Sequence, residues 1–188
     1  PLQPMRELDA SRVIYAGSFS KAFSPALRLG YAIVPPALRP SWSACRELAD
    51  IHSCVFTQAA MASFIGSGAY ERHVRRMKRL YAARREAMLL SLASAFGTEA
   101  LVMGEAAGLH LAVRFRGESF RGLRFDEKTV SRIASKGALV YPAARFAFAR
   151  LPGIERVLLL GYGNLDEGKI KAGIGALASC LGHHWVAK

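Results

Sequence analysis

A lysine set among hydroxyl side chains, with an arginine a short distance downstream, is the part of this sequence best suited to do chemistry. Lys21 ends the run Gly17-Ser18-Phe19-Ser20-Lys21, and Arg28 lies in Pro25-Ala26-Leu27-Arg28-Leu29-Gly30-Tyr31. Flanked by Phe19 and Phe23, Lys21 is expected to be partly desolvated, which favours the neutral amine that can attack an aldehyde. Ser24-Pro25 is a turn signal. A turn there doubles the chain back and gathers the Arg28 guanidinium with the Ser18 and Ser20 hydroxyls below the lysine. That donor set suits a phosphate dianion, because arginine offers a planar fork of N–H groups and hydroxyls fill the remaining oxygen positions.

Two strands must position these groups. Val13, Ile14 and Tyr15 read as a buried strand that ends where Gly17 permits a sharp turn, leaving Lys21 at the strand's carboxyl end, where α/β sheets bind ligands. In the strand that follows, Arg28, Gly30 and Ala32 share one face, with Leu27, Leu29, Tyr31 and Ile33 on the other, so the ligand side carries the small residues. Pro35-Pro36 ends it. An aldehyde acceptor beside a phosphate site describes pyridoxal 5'-phosphate (PLP). The whole run resembles the cofactor-lysine segment of fold type I PLP-dependent aminotransferases, most closely the MocR-type regulators of the GntR superfamily. In those, an aminotransferase-like domain is fused to a winged-helix DNA-binding domain. Without the register of the full run, a lone SxSK would read as an ordinary surface lysine.

The resemblance implies an α/β, fold type I PLP-dependent transferase-like architecture. Residues 1–66 would be the C-terminal remnant of the large PLP-binding domain, and 67–188 the small C-terminal α+β domain, opening on a long basic helix. It makes Lys21 the catalytic residue that holds PLP as an internal aldimine, with Ser18, Ser20 and Arg28 as further cofactor ligands. Arg145, in the local pattern P-x-x-R-F, matches the arginine that binds a substrate carboxylate in the regulators; a plain surface arginine is the equal alternative. The implied function is an effector domain that senses an amino compound, with DNA bound through a domain absent from this chain and a homodimer in the complete protein. A catalytic class I/II aminotransferase is the alternative. Leu158-Leu159-Leu160 occupies the strand where many such enzymes place a carboxylate-binding arginine, which departs from a simple transaminase.

Composition is compatible with this. The 188 residues are 52% hydrophobic, ample for a core, and the formal charge of +12 makes an anionic ligand, nucleic acid or acidic partner surface plausible without choosing among them. The chain starts at Pro1, so it reads as a piece of a longer protein. It has neither a signal peptide nor an uncharged apolar run of about 18 residues, which argues against a membrane location. Cys45, Cys54 and Cys180 are scattered, fitting a reducing cytoplasm, and with the histidines they show no metal-ligand spacing.

Further along, helical spacing runs over residues 37–50 and 57–65, the latter closed by Gly66-Ser67-Gly68, where a domain boundary is expected. Residues 70–96 form a long helix with Val74, Met77, Tyr81, Met88, Leu92 and Ala95 on one stripe. Arg72, Arg75, Arg76, Lys78, Arg79, Arg84 and Arg85 give it a cationic face, solvated or facing phosphates. ERHVRRMKRLYAARRE also resembles the corresponding helix of the MocR-type regulators. Strands follow at 101–103 and 109–115, the second carrying His110 as a packed or hydrogen-bonded residue, then a helix started by Asp126. Next come a strand at 138–141 leading into Pro142, a buried strand at 157–162, and a last helix started by Asp166. Gly173-Ile174-Gly175-x-x-Ala178 formally fits a dinucleotide fingerprint but lies inside that helix, so it is set aside. His183, His184 and Trp185 read as a frayed tail.

Overall fold

The computed structural model describes residues 4–104, 108–149 and 151–182; the tail histidines and Trp185 lie outside them. The chain divides into two compact units, Pro1–Lys78 and Arg79–Lys188, so the division falls inside a helix, downstream of Gly66-Ser67-Gly68.

In the first unit a short helix α1 (Met5–Leu8) precedes an antiparallel hairpin, β1 (Tyr15–Ser18) and β2 (Gly30–Ile33). Its register pairs Tyr15 with Ile33 and Ser18 with Gly30. The expected buried strand ending at Gly17 is corrected here: β1 runs through Gly17, and three of its four residues are exposed. A two-stranded sheet has no central strand, so neither strand is covered as a central one would be. Gly17 and Gly30 are required for another reason. A Cβ on Gly30 would lie 2.8 Å from the Gly17 carbonyl oxygen, and one on Gly17 would meet the Tyr31 ring, 2.6 Å from Cε1. The small residues thus bring the two strands and the Tyr31 ring together.

Helices α2 (Arg39–Asp50) and α3 (Val55–Gly66) follow. Gly68, at φ +70°, takes the left-handed conformation that closes α3, with its N–H donating to Ile65 O at 2.9 Å. Helix α4 (Ala69–Phe96) then begins in this unit and ends in the next. The unit's interior is small and aromatic. Phe19, buried, stands 5.4 Å from Tyr31 and edge-on to Tyr70 at 5.7 Å, while Phe23 lies 4.9 Å from Phe64.

The second unit is a four-stranded antiparallel sheet in the order β3 (Ala100–Met103), β4 (His110–Phe115), β6 (Val157–Gly161), β5 (Tyr141–Pro142). Period-two alternation puts Leu111, Val113 and Phe115 of β4 in one core with Leu158 and Leu160 of β6. The same core takes Met88, Leu92 and Phe96 of α4, Ile133 of α5 (Glu127–Ser135), and Ile170, Ile174 and Leu177 of α6 (Glu167–Cys180). The buried residues of α4 are confined to its second half; the expected stripe members Val74, Met77 and Tyr81 are only half-buried. The expected strand at 138–141 pairs only at Tyr141 and Pro142. Pro142 has no N–H to donate and is tolerated on an edge strand. His110, expected to be packed or hydrogen-bonded in its strand, is exposed at the start of β4 with its ring above Gly161, where a Cβ would come 3.1 Å from Cδ2. Gly175 and Ala178 are buried inside α6, away from any strand-to-helix turn. Among the described residues no helix is long and apolar enough to cross a membrane.

Both short helices of this unit start as the sequence indicates. Asp126 Oδ1 accepts the Thr129 N–H at 2.8 Å, and Asp166 Oδ1 accepts the Lys169 N–H at 2.8 Å. Those backbone hydrogen bonds, the largest cause in each case, hold both carboxyls below the usual aspartate range. A carboxyl lowered on folding stabilises the fold above its unfolded pKa of about 3.9, and that contribution is lost as pH falls through the lowered folded value. Asn accepts the same bond without titrating. The double variant Asp126→Asn, Asp166→Asn is therefore expected to show a flatter loss of thermal stability below about pH 4. Parent and variant falling in step on acid titration would mean that the caps do not set the acid limb.

Candidate functional site

The loop between β1 and β2 holds Ser18, Ser20, Lys21 and Arg28 within one closed segment. Its base is the hairpin: beyond the Ser18–Gly30 pair, the Phe19 N–H donates to Leu29 O at 3.1 Å. Residues 20–23 then turn tightly, because the N–H groups of Phe23 and Ser24 both donate to Phe19 O, at 2.8 and 3.2 Å. The Ser20 N–H donates to Ser18 Oγ at 3.1 Å, fixing the first hydroxyl at the foot of the turn. Ser24 Oγ accepts from Ala26 N–H at 3.3 Å and opens a 3₁₀ turn, Pro25–Leu27, with Pro25 preset in its first position.

Arg28 ends that turn in the left-handed conformation, φ 49° and ψ 35°. For a residue with a Cβ this costs on the order of 1–2 kcal/mol, so the surrounding turn and hairpin must impose it. The expectation that Arg28 lies on the strand, sharing a face with Gly30 and Ala32, is corrected. The 3₁₀ turn and the left-handed residue come before β2, and the alternation of faces begins only at Gly30.

The expected desolvation of Lys21 is also corrected: its side chain is exposed. Phe19 turns into the interior against Tyr31 and Tyr70, and Phe23 packs on Phe64 and, edge-on at 5.2 Å, on His73. Among the described residues, Lys21 and Arg28 make no ion pair or side-chain hydrogen bond. No carboxylate occurs anywhere between Asp9 and Glu47. An amine, a guanidinium and two hydroxyls in a stretch without acid are free to receive an anion. In β2, hydrogen bonding to Tyr15 raises the Tyr31 hydroxyl above the ordinary phenol range.

Arg145 belongs to the second unit, exposed in the 3₁₀ turn Ala143–Phe146 that follows β5. It has no ion pair among the described residues. Nothing in the sequence pointed to His73. Its Nε2 lies 3.1 Å from Ala22 O, a hydrogen bond across 51 residues to the neighbour of Lys21. No local spacing encodes such a pair.

Residues 3–157 match the family described as Aminotransferase class I and II, and the chain belongs to that family. Within it the curated relatives include regulators. The chain is 32% identical to "Uncharacterized HTH-type transcriptional regulator YhdI" of Bacillus subtilis (strain 168), over 93% of this chain and 36% of the regulator. It is 33% identical to "Probable rhizopine catabolism regulatory protein MocR" of Rhizobium meliloti, over 96% of this chain and 36% of that protein. Among solved structures, LysN, the alpha-aminoadipate aminotransferase of Thermus thermophilus complexed with N-(5'-phosphopyridoxyl)-L-leucine, superposes with a TM-score of 0.79. There the identity is 28%, over 94% of this chain and 43% of that one. The chain thus spans little more than a third of the length of the curated regulators it matches.

Proposed function

We propose that this chain is the PLP-binding, aminotransferase-like effector part of a MocR-type transcriptional regulator, whose DNA-binding domain lies outside this sequence. The observation that carries this reading is the Lys21 loop: a solvent-facing amine, with the Arg28 guanidinium and the Ser18 and Ser20 hydroxyls in the same closed segment and no carboxylate to neutralise them. That donor set fits a phosphorylated aldehyde. When bound, PLP supplies a reactive carbonyl and an electron-withdrawing ring for an amino compound to engage.

The chain's own residues have distinct tasks. Lys21, at the end of a flexible four-carbon stem, would present its amine to the carbonyl carbon and would be the group placed to take or give a proton there. Arg28 would hold the phosphate through its guanidinium, with Ser18 and Ser20 as further donors. Arg145, in the second unit, is the candidate for holding a carboxylate bidentately. Ligand exchange at Lys21 biases the conformation of a cytoplasmic homodimer and thereby its hold on DNA; turnover is not required for this.

The full-length protein tests the proposal. Its affinity for the DNA flanking its own gene is expected to change when PLP is present and a matching primary amine is added. DNA binding indifferent to PLP and to every amine in a broad panel would sink the regulator reading. The likeness to LysN favours transamination as a second reading. Conversion of bound PLP to pyridoxamine phosphate by an amino donor would establish that activity.

A further inference from the structure

The backbone around Lys21 is tethered from outside its own loop. Of the bonds that shape the turn, most join residues a few positions apart, such as Phe23 N–H to Phe19 O at 2.8 Å and Ser20 N–H to Ser18 Oγ at 3.1 Å. One does not. His73 Nε2, on the first half of α4, lies 3.1 Å from Ala22 O, and a carbonyl can only accept, so the imidazole is the donor. The same ring stands edge-on to Phe23 at 5.2 Å and 85°. His73 therefore grips the residue after Lys21 by its carbonyl and the next by its ring. The site is half-buried, where losing a partner for the carbonyl is more costly than in open water.

We propose that His73 is a positioning residue for Lys21. It does not touch the reacting atoms. By fixing the peptide plane between Ala22 and Phe23 it holds the lysine's backbone, so that the long side chain searches for the carbonyl from a fixed root. Placement errors of about 1 Å can cost as much as ~10²-fold in rate. This inference rests on the reading of Lys21 as the PLP-binding amine.

The experiment uses the full-length protein. The Lys21 amine and the aldehyde condense to a C=N bond with loss of water. Borohydride then delivers hydride to the carbon, leaving a stable secondary amine that peptide mass spectrometry locates. The rate of trappable adduct formation is compared for parent, His73→Phe and His73→Gln. The first variant keeps a ring against Phe23 and loses the donor; the second restores an N–H at a similar reach. Separately, amide deuterium exchange over residues 19–24 is followed without PLP.

His73→Phe is expected to form the adduct about tenfold more slowly, within the range that small misplacements produce. It should also exchange faster at 19–24 with the thermal midpoint little changed, and His73→Gln should recover most of the rate. Equal rates and equal exchange in parent and His73→Phe would overturn the positioning role while leaving the PLP reading intact. Slowing that His73→Gln shares in full would overturn the donor role as well. A parent protein that acquires no adduct at Lys21 would overturn both inferences.

Discussion

Lys21→Arg in the full-length protein is expected to abolish the borohydride-stable PLP adduct, with thermal stability within about 0.5 kcal/mol of the parent. The charge is kept, so the electrostatic attraction for a phosphorylated ligand survives. The nucleophile is not: a guanidinium stays protonated at any ordinary pH and has no lone pair to offer a carbonyl. Because Lys21 is exposed and unpaired among the described residues, its side chain contributes little to the fold. Chemistry and stability therefore separate in this one substitution. Peptide mapping after reduction reads the first and a denaturant melt the second. Adduct retained at another lysine would remove Lys21 from its assigned role.

Phe115→Ala is expected to destabilise the second unit by about 3–5 kcal/mol, the range for deleting a buried aromatic ring. Phe115 is fully buried, and the edges and faces of Phe96, Phe120 and Phe125 surround it at 5.1, 5.2 and 5.4 Å. Such edge-to-face pairs add to the stabilisation from area burial alone, and truncation leaves a cavity that β4, held between β3 and β6, cannot collapse to fill. Against a typical domain stability of about 5–15 kcal/mol this is a severe loss. Leu139→Ala is the control: the side chain is 82% exposed, and its removal should change stability by less than about 0.5 kcal/mol. If the denaturant midpoint of the Phe115 variant tracked that of the control, the aromatic cluster would not be what holds this unit together.

The second unit is the more legible of the two. Strand β4 and helix α6 each bury one face, so the spacing of Leu111, Val113 and Phe115, or of Ile170, Ile174 and Leu177, announces the element type. The helix starts at Asp126 and Asp166 are equally plain, because a cap acts on amides three residues away. In the first unit, among the described residues, two strands pair and their residues are largely exposed, so alternation carries little information there. The apolar run at Val13 and Ile14 reads as the body of a buried strand with Gly17 at its end, whereas the paired strand starts at Tyr15 and continues past that glycine. The phase of β2 is likewise hidden, since the pattern gives no sign that Arg28 is left-handed.

Residue types and their order along the chain are enough to establish which groups are suited to the chemistry: an amine, a guanidinium and two hydroxyls in one short segment without a carboxylate. These are properties of covalent neighbours, and no fold is needed to read them. Where those groups sit was decided by contacts between distant parts of the chain. Phe19 is buried against Tyr31 and Tyr70, Phe23 packs on Phe64 and His73, Lys21 stays exposed, and Ala22 is held by a histidine 51 residues away. Such contacts form only when helix and hairpin have already packed, because the free energy that fixes them belongs to the pair and not to either segment.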